Sequence, residues 1–324
     1  MPEATANDVQ WFAEQYRGLQ DNIERFIRGK AQAVQLALVA LLSEGHLLID
    51  DIPGVGKTSL ARAISNSIEG SMSRVQFTPD LLPSDLTGTQ IWNMETRTFE
   101  FRSGPVFANV VVGDEINRAS PKTQSALLEV MEERQVTVDG HAMPVPRPFM
   151  VIATQNPVEF DGTYHLPEAQ IDRFLLSIAI GYPDHEAEVE IIRNRSGGMT
   201  VDDLRPVATL ASVSRMIEIA RSVFVAPALH DYVVMLCAAT RTMGELRLGV
   251  SPRGTLALLT AAQTLAASRG RTFLVADDVK AMVPHVLAHR MLLTAEAELS
   301  GHTAATLLNQ LAGAVPVPEA RAGV

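Results

Sequence analysis

A glycine-containing turn that ends in a lysine and a threonine is the first segment of the sequence able to do chemistry. The stretch DIPGVGKT, residues 51–58, follows the apolar run HLLID and precedes a predicted helix. A phosphate-binding loop needs this context, because glycines let successive backbone N–H groups point inward and the start of the helix adds positive potential. We predict that Lys57 bridges the β- and γ-phosphates of a nucleotide and that the Thr58 hydroxyl is a ligand of Mg²⁺.

The first position of this loop departs from the strict phosphate-loop pattern. The pattern begins with glycine, whereas this sequence has Asp51. Because that position is the farthest from Lys57, the rest of the loop is still expected to hold phosphates. An ordinary glycine turn before a helix is the alternative interpretation. The residues predicted to contact nucleotide in this loop are Pro53, Gly54, Val55, Gly56, Lys57, Thr58 and Ser59.

Two adjacent acids end a second apolar run, VVVGDE at residues 110–115. A strand that ends in this way places both carboxylates at the carboxyl edge of a parallel sheet, where open α/β sheets bind ligands. Asp114 is then predicted to help hold Mg²⁺, and Glu115 to orient the attacking water and take its proton. A lone acid pair after a strand is usually a helix cap, but its place after a phosphate loop favours the catalytic interpretation.

A third apolar run, VIATQNP at residues 151–157, ends at an asparagine. The amide of Asn156 could donate a hydrogen bond to a water or to a γ-phosphate oxygen. A turn-forming Asn-Pro pair is the alternative, and the residue type alone does not separate the two. The two preceding motifs favour a role for Asn156 in catalysis.

These candidate residues lie on alternating strands and helices, which predict a mostly parallel sheet covered on both faces. Two hairpins interrupt the alternation at residues 89–102 and 135–145, the second around the turn sequence Asp139-Gly140. After about residue 183 the pattern is helical without clear strands. The predicted strands cover residues 46–50, 74–77, 109–113, 149–153 and 174–180.

The fold class that follows is α/β, a phosphate-loop core followed by an all-helical domain. We predict an α/β core over residues 11–183 with two hairpin inserts, and a helical domain over residues 184–313 that covers the nucleotide as a lid. Residues 1–10 and 314–324 are predicted to be disordered tails, because they are polar or rich in proline.

Composition excludes several classes of protein. The 324 residues include 27 basic and 37 acidic side chains, a net charge of −10, so a general nucleic-acid binder is not expected. The single cysteine, Cys237, excludes a disulfide framework and a cysteine-based zinc site. The longest apolar run, residues 33–42, is too short to span a bilayer, and no signal peptide is evident. We therefore expect a cytoplasmic protein.

The motifs taken together resemble those of the MoxR group of AAA+ ATPases. The segments that carry the resemblance are IDDIPGVGKT, VVVGDEINRA, VIATQNPVE, PEAQIDRF and GVSPRG, and the likeness runs from about residue 11 to residue 293. It implies ATP hydrolysis to ADP and phosphate, and a helical lid after the αβα core. The first two segments correspond to the Walker A and Walker B motifs. The sequence departs from the group at Asp51 and at residues 26–30, where a Gly-Gln pair is usual on the adenine side.

The resemblance also implies roles that the residues alone do not show. Arg173, in IDRF, matches the arginine finger that reaches the γ-phosphate of a neighbouring subunit. Arg253, in SPRG, matches the sensor-2 arginine of the lid, and Arg118 is a candidate for contact across the subunit interface. Arginine suits such roles because its planar cation offsets charge that develops during phosphoryl transfer. The implied assembly is a hexameric ring, since head-to-tail interfaces close by rotation.

The work implied is chaperone-like remodelling, assembly or metal-cofactor maturation of a client protein, with a von Willebrand A domain protein as a further implied partner. One alternative is a related AAA+ motor of the magnesium-chelatase type. Another is a nucleotide-gated scaffold with little turnover, against which Glu115, Asn156 and Arg173 argue. Small-molecule kinase activity is a third and less favoured alternative.

Two weaker features leave alternatives open. The aromatic residues of the first hairpin, Trp92, Phe99 and Phe101, could grip a partner or pack the hairpin onto the body. His285 and His289 have a spacing that can bind a metal, but without a third ligand we expect them to be solvated or packed in the lid.

Overall fold

The structure is a computed structural model that describes residues 3–52, 54–138, 140–155, 164, 166–198 and 200–317. The chain forms two units: the α/β unit, residues 18–174 and 178–214, and the helical unit, residues 1–17, 175–177 and 215–324. No helix within the described part of the chain has both the length and the apolar character that crossing a membrane requires.

A five-stranded sheet with the strand order β2-β5-β8-β1-β9 organises the α/β architecture. The pairs β2–β5, β5–β8 and β8–β1 are parallel, as the alternation of strands and helices predicts. The strands of the chain are β1 (Leu47–Asp50), β2 (Met72–Gln76), β3 (Gly88–Asn93), β4 (Thr98–Ser103), β5 (Val110–Asp114), β6 (Gln135–Val138), β7 (His141–Pro144), β8 (Met150–Gln155), β9 (Leu176–Ile178), β10 (Leu246–Leu248) and β11 (Leu292–Leu293).

Helices connect the strands and make up most of the C-terminal half. The α-helices of the described residues are α1 (Ala6–Glu24), α2 (Ala31–Leu42), α3 (Lys57–Ser67), α4 (Pro83–Thr87), α5 (Pro121–Glu133), α6 (Glu168–Ile171), α7 (His185–Ser196), α8 (Leu210–Arg221), α9 (Pro227–Thr240), α10 (Pro252–Ser268), α11 (Ala276–Leu287), α12 (Ala295–Leu299) and α13 (Ala304–Ala314).

The central strands are apolar because both faces of the sheet are covered. All five residues of β5 are buried, and β8 is buried from Met150 to Thr154, as expected of parallel strands between helical layers. The core on one side of the sheet includes three fully buried rings, Phe77, Phe149 and Phe174. This packing fixes the strands, and their carboxyl ends carry the predicted site residues.

The first hairpin, β3–β4, is paired from Gly88↔Ser103 to Asn93↔Thr98. Two glycines allow the close crossing at its base. A Cβ on Gly88 would lie 2.3 Å from the carbonyl oxygen of Arg102, and a Cβ on Gly104 would lie 2.2 Å from that of Leu86. The first hairpin extends one residue beyond its predicted range at each end, and the second, β6–β7, lies within residues 135–145 as predicted.

Helix caps and a buried, paired aspartate stabilise the starts of two helices in the helical unit. At the start of α10, Ser251 Oγ accepts a hydrogen bond from the Gly254 N–H at 3.1 Å, and Pro252 occupies the first turn. At the start of α11, the fully buried Asp278 pairs with Arg269 and Arg271. Asp278 Oδ2 also accepts a hydrogen bond from the Val275 N–H at 3.3 Å, which caps the start of α11.

The structure corrects three expectations about domain organisation. The predicted disordered tail over residues 1–10 is wrong from Ala6 onward, because α1 begins there behind a capping pair of Thr5 and Asp8. The expected boundary near residue 184 also differs, since residues 178–214 belong to the α/β unit. The helical unit is not purely helical, because β10 and β11 form a short antiparallel pair.

The predicted C-terminal tail over residues 314–324 falls largely on residues 318–324, which lie outside the described residues. The last helix, α13, ends at Ala314, one residue beyond the predicted end of the helical domain.

Candidate active site

The phosphate-loop segment joins β1 to α3. Gly54 and Gly56 have backbone φ angles of +86° and +94°, a left-handed region that glycine enters without a steric penalty. Gly56 is the residue that caps α3, and Lys57 is the first residue of that helix. The turn therefore presents the N-terminus of α3 next to the ends of the central strands, as an anion site requires.

The Lys57 ammonium group is hydrogen-bonded to two backbone carbonyls. Its Nζ donates to the oxygen of Asp51 and, at 3.2 Å, to that of Gln155. Burial lowers the pKa of Lys57, while the nearby carboxylates of Asp51, Asp50, Asp114 and Glu115 act in the opposite direction. The cation is thus fixed in a strongly acidic neighbourhood.

Asp114 ends β5 and is held from two sides. Arg74 Nε on β2 lies 2.6 Å from Asp114 Oδ2, and the Thr154 hydroxyl on β8 lies 3.4 Å from Oδ1. The register explains the contacts, because β2 and β8 are the two neighbours of β5. The carboxylate is therefore oriented by the strands that flank it.

Glu115 follows directly and is oriented by different groups. Its Oε2 accepts a hydrogen bond from Gln76 Nε2 at 2.7 Å and lies 3.3 Å from Arg118 Nη1. Its backbone φ is +57°, which costs a non-glycine residue about 1–2 kcal/mol. The Glu115 N–H donates to Thr154 Oγ1 at 3.0 Å. The strained turn aims the carboxylate along the sheet edge beside Asp114.

These groups line one cavity of about 350 Å³ in the α/β unit. The oxygen atoms in this cavity that could coordinate a cation belong to the Thr58 hydroxyl and to the Asp114 and Glu115 carboxylates. All are hard oxygen ligands of the kind that Mg²⁺ prefers. Among the described residues, no group of three or more His, Cys, Asp and Glu side chains could hold a metal ion. The lining residues are Gly54, Gly56, Lys57, Thr58, Ser59, Arg74, Gln76, Asp114, Glu115 and Thr154.

Not every predicted site residue is in this cavity. Pro53 and Asn156 lie outside the described residues, and Val55 is in the loop but does not line the cavity. Arg173 follows α6, with its Nε 3.7 Å from Glu132 Oε2. Arg253 lies in the first turn of α10, in the helical unit.

Sequence reasoning missed Arg74, Gln76 and Thr154, which orient the two acids. A signal for the first pair exists: Arg74 and Gln76 alternate with the apolar Val75 and Phe77, so both polar side chains leave the same face of a strand. Thr154 carried no signal, because a threonine near a strand end is common.

A second cavity of about 540 Å³ is lined by Ile27, Arg28, Gly29 and Ala31, together with Glu24, Gln32 and Glu190. Arg28 Nε lies 3.2 Å from Glu190 Oε1 on α7. Gly29 is required there, since its φ is +69° and a Cβ would lie 2.6 Å from the Ala187 Cβ.

The aromatic residues of the first hairpin were predicted either to contact a partner or to pack the hairpin onto the body of the protein, and the structure has rings in both situations. Trp92 and Phe99 are exposed and form an edge-to-face pair with centroids 5.1 Å apart. Phe101 instead contacts Phe107 at 5.6 Å, and Phe107 packs on the core. One ring thus anchors the hairpin and two rings face solvent.

Comparison with known proteins agrees with this geometry. Residues 46–176 match the family described as "ATPase family associated with various cellular activities (AAA)", and residues 238–311 match the "AAA lid domain". The crystal structure of a Cytophaga hutchinsonii protein assigned as an ATPase superposes with a TM-score of 0.91 at 32% identity, over 97% of this chain and 98% of that one.

Curated relatives are similar over nearly the whole chain. "Uncharacterized protein YeaC" of Bacillus subtilis is 45% identical over 94% of this chain and 95% of its own length. "Chaperone MoxR1" of Mycobacterium tuberculosis is 43% identical over 93% of this chain and 81% of its own. "Protein MoxR" of Methylorubrum extorquens is 32% identical over 84% and 85%.

Proposed function

Since the chain belongs to the MoxR family of AAA+ ATPases, we propose that it uses ATP hydrolysis to remodel or mature a partner protein. The ATPase activity itself follows from the family. The observation that supports this use of the site is the single cavity that brings Lys57 and Thr58 together with Asp114 and Glu115.

The residues of the cavity divide the work of phosphoryl transfer. The loop N–H groups and Lys57 hold the phosphates, while Thr58 and Asp114 would hold Mg²⁺. When bound, that ion neutralises charge on the phosphate oxygens. Glu115 orients the attacking water and accepts its proton, and the contacts from Gln76 and Arg118 keep the carboxylate at the cavity edge.

Three further roles rest on the resemblance to the family. We assign Asn156 to the γ-phosphate side, Arg173 to the nucleotide of a neighbouring subunit in a hexameric ring, and Arg253 to the sensor-2 position. A guanidinium from a neighbour would complete each site, so turnover would require assembly. The cytoplasmic location likewise stays a prediction from the sequence.

The chaperone role comes from relatives such as the Mycobacterium tuberculosis protein named a chaperone. The client, a von Willebrand A domain partner and metal-cofactor maturation are proposals at the same level. The exposed pair Trp92 and Phe99 on the first hairpin supports contact with a protein. A magnesium-chelatase type of motor and a low-turnover scaffold remain the alternatives.

Phosphate release by the wild type and by Glu115→Gln tests the proposal. The variant should bind ATP as the wild type does and release phosphate at least ~100-fold more slowly, because general-base catalysis contributes that much. Glu129→Gln on the exposed face of α5 is the matched control and should keep the wild-type rate. Equal, low rates in the wild type and Glu115→Gln would favour the scaffold instead.

A second measurement addresses the client. A protein held by Glu115→Gln in ATP should dissociate when ADP replaces ATP, and Glu115→Gln combined with Lys57→Ala should not hold it. Retention that is independent of the nucleotide would contradict ATP-driven remodelling.

A further inference from the structure

Asp51, the residue that departs from the phosphate-loop pattern, has a side chain directed to another part of the α/β unit. It is 7% exposed. Its Oδ2 accepts hydrogen bonds from the backbone N–H groups of Ile180 and Gly181, both at 2.6 Å, and its Oδ1 accepts from the Ile52 N–H at 2.8 Å. Glycine, the usual residue here, could make none of these bonds.

The main chain of Asp51 is tied to Lys57. Lys57 Nζ donates to the Asp51 carbonyl and to the Gln155 carbonyl, and the Asp51 N–H donates to that same Gln155 oxygen at 3.3 Å. One acceptor of the lysine is therefore the backbone of Asp51 itself, and the other is hydrogen-bonded to that backbone.

The segment that Asp51 binds is held at its other end as well. Gly181 has a φ of +67°, and the next carbonyl, that of Tyr182, accepts a hydrogen bond from Lys30 Nζ at 2.7 Å. Asp51 thus connects the phosphate loop to a backbone segment about 130 residues away in sequence that is itself fixed.

We propose that Asp51 is a positioning residue for nucleotide binding, which sets Lys57 by anchoring the phosphate loop to the Ile180–Gly181 backbone. The inference rests on the proposed function, because it assumes that Lys57 holds phosphate. A carboxylate suits the task since hydrogen bonds from backbone N–H groups to a charged oxygen are short and about twice as strong as neutral ones. A purely electrostatic effect on Lys57 is the competing explanation.

Asp50 separates the two explanations. It is an exposed acid adjacent to Asp51 whose charge also acts on Lys57, and no side-chain hydrogen bond to the 180–181 backbone is found for it among the described contacts. If charge alone mattered, Asp50→Asn and Asp51→Asn would weaken or strengthen nucleotide binding to a similar extent.

The experiment measures ADP affinity by calorimetry and amide hydrogen exchange in the full chain without nucleotide. In Asp51→Gly the Kd for ADP should rise at least ~10-fold, because binding must then supply the ordering of the phosphate loop that these hydrogen bonds provide in the wild type. Exchange at Ile180 and Gly181 should accelerate at least ~10-fold. Asp51→Asn, which keeps the shape, should show smaller changes in the same direction, and Asp50→Asn should show neither.

ADP affinity that is unchanged or tighter in Asp51→Gly, or unchanged exchange at both amides in both Asp51 variants, would overturn the proposal. Equal effects of Asp50→Asn and Asp51→Asn would overturn it in favour of charge. Wild-type protein that fails to bind ADP would instead contradict the proposed function, and Asp51 would lose its role in nucleotide binding with it.

Discussion

Two carboxylates paired with arginine show how differently the two units use charge. Asp114 in the α/β unit is 10% exposed and pairs with Arg74, whose side chain is 54% exposed at the edge of a cavity. Asp278 in the helical unit is fully buried, pairs with two arginines, and also accepts the Val275 N–H of its own helix start at 3.3 Å.

The difference indicates which ion pair can exchange partners. Arg74 can leave Asp114 into solvent, so a ligand in the cavity can take its place at low cost. Removing a partner from Asp278 would leave an uncompensated buried charge, which is costly. An aspartate paired with arginine is thus open to a ligand at the sheet edge of the α/β unit, whereas in the helical unit it is part of the folded interior.

The largest effect that would sharpen this comparison is expected from Arg173→Ala. Within the described part of the chain, the Arg173 side chain makes a long, partly exposed ion pair with Glu132, so its loss should hardly change stability. If it reaches the nucleotide of a neighbour, phosphate release should fall ~10³-fold or more. The measurement is phosphate release and ATP affinity of the purified assembly, sized by light scattering.

Arg205→Ala serves as the control, because its side chain is exposed. A near-normal rate of phosphate release in an assembled Arg173→Ala protein would contradict the proposal that Arg173 reaches the nucleotide of a neighbouring subunit.

Sequence patterns predicted the local parts of this site well. Apolar runs predict strands that end at residues 50, 113 and 153, and the observed strands end at 50, 114 and 155. The convergence of Lys57, Asp114 and Glu115 follows from parallel strands sharing one edge.

Contacts between distant segments could not be predicted. Nothing in DIPGVGKT indicates that Asp51 binds the backbone at Ile180, because that pairing depends on how the chain returns after β9. The start of α1 was missed for a different reason, since the Thr5–Asp8 spacing is a helix-capping signal that polar composition obscured.

The next effect concerns stability of the helical unit. Asp278→Asn should lower the free energy of unfolding by about 1.5–3 kcal/mol, because the buried hydrogen bonds to Asp278 lose their charged acceptor, while the partly exposed Arg269 and Arg271 can reach solvent. Thermal unfolding and hydrogen exchange in α11 measure this. ATP affinity at a temperature where the variant is folded should stay unchanged.

Asp277→Asn is the matched control, since Asp277 is the exposed neighbour in the same first turn. It should cost about 0.3–1 kcal/mol through the helix dipole alone. If both variants unfold alike, burial of Asp278 is not what stabilises the unit.

The smallest effect concerns His46, a buried titratable group of the α/β unit that is neutral, in contrast to the paired carboxylate of Asp278 in the helical unit. Burial, followed by the charge of Arg134, lowers the pKa of His46 to about 3. The neutral ring accepts from the Val151 N–H at 3.0 Å on Nδ1, so Nε2 carries the proton and donates to the Met131 carbonyl at 3.1 Å.

Because the folded pKa lies below the unfolded value of 6.5, the unfolded chain binds the proton first as pH falls. The stability contributed by neutral His46 is complete above about pH 6.5 and is lost toward pH 3 at up to ~1.4 kcal/mol per pH unit, or about 2 kcal/mol at pH 5. The free energy of unfolding, measured with urea between pH 7 and 5, should fall less steeply with decreasing pH in His46→Gln than in the wild type. In His185→Gln, where the replaced side chain is exposed, it should fall as steeply as in the wild type. Parallel slopes in all three proteins would mean that the pKa of His46 is the same in the folded and unfolded chains, which would contradict the effect of burial on this ring.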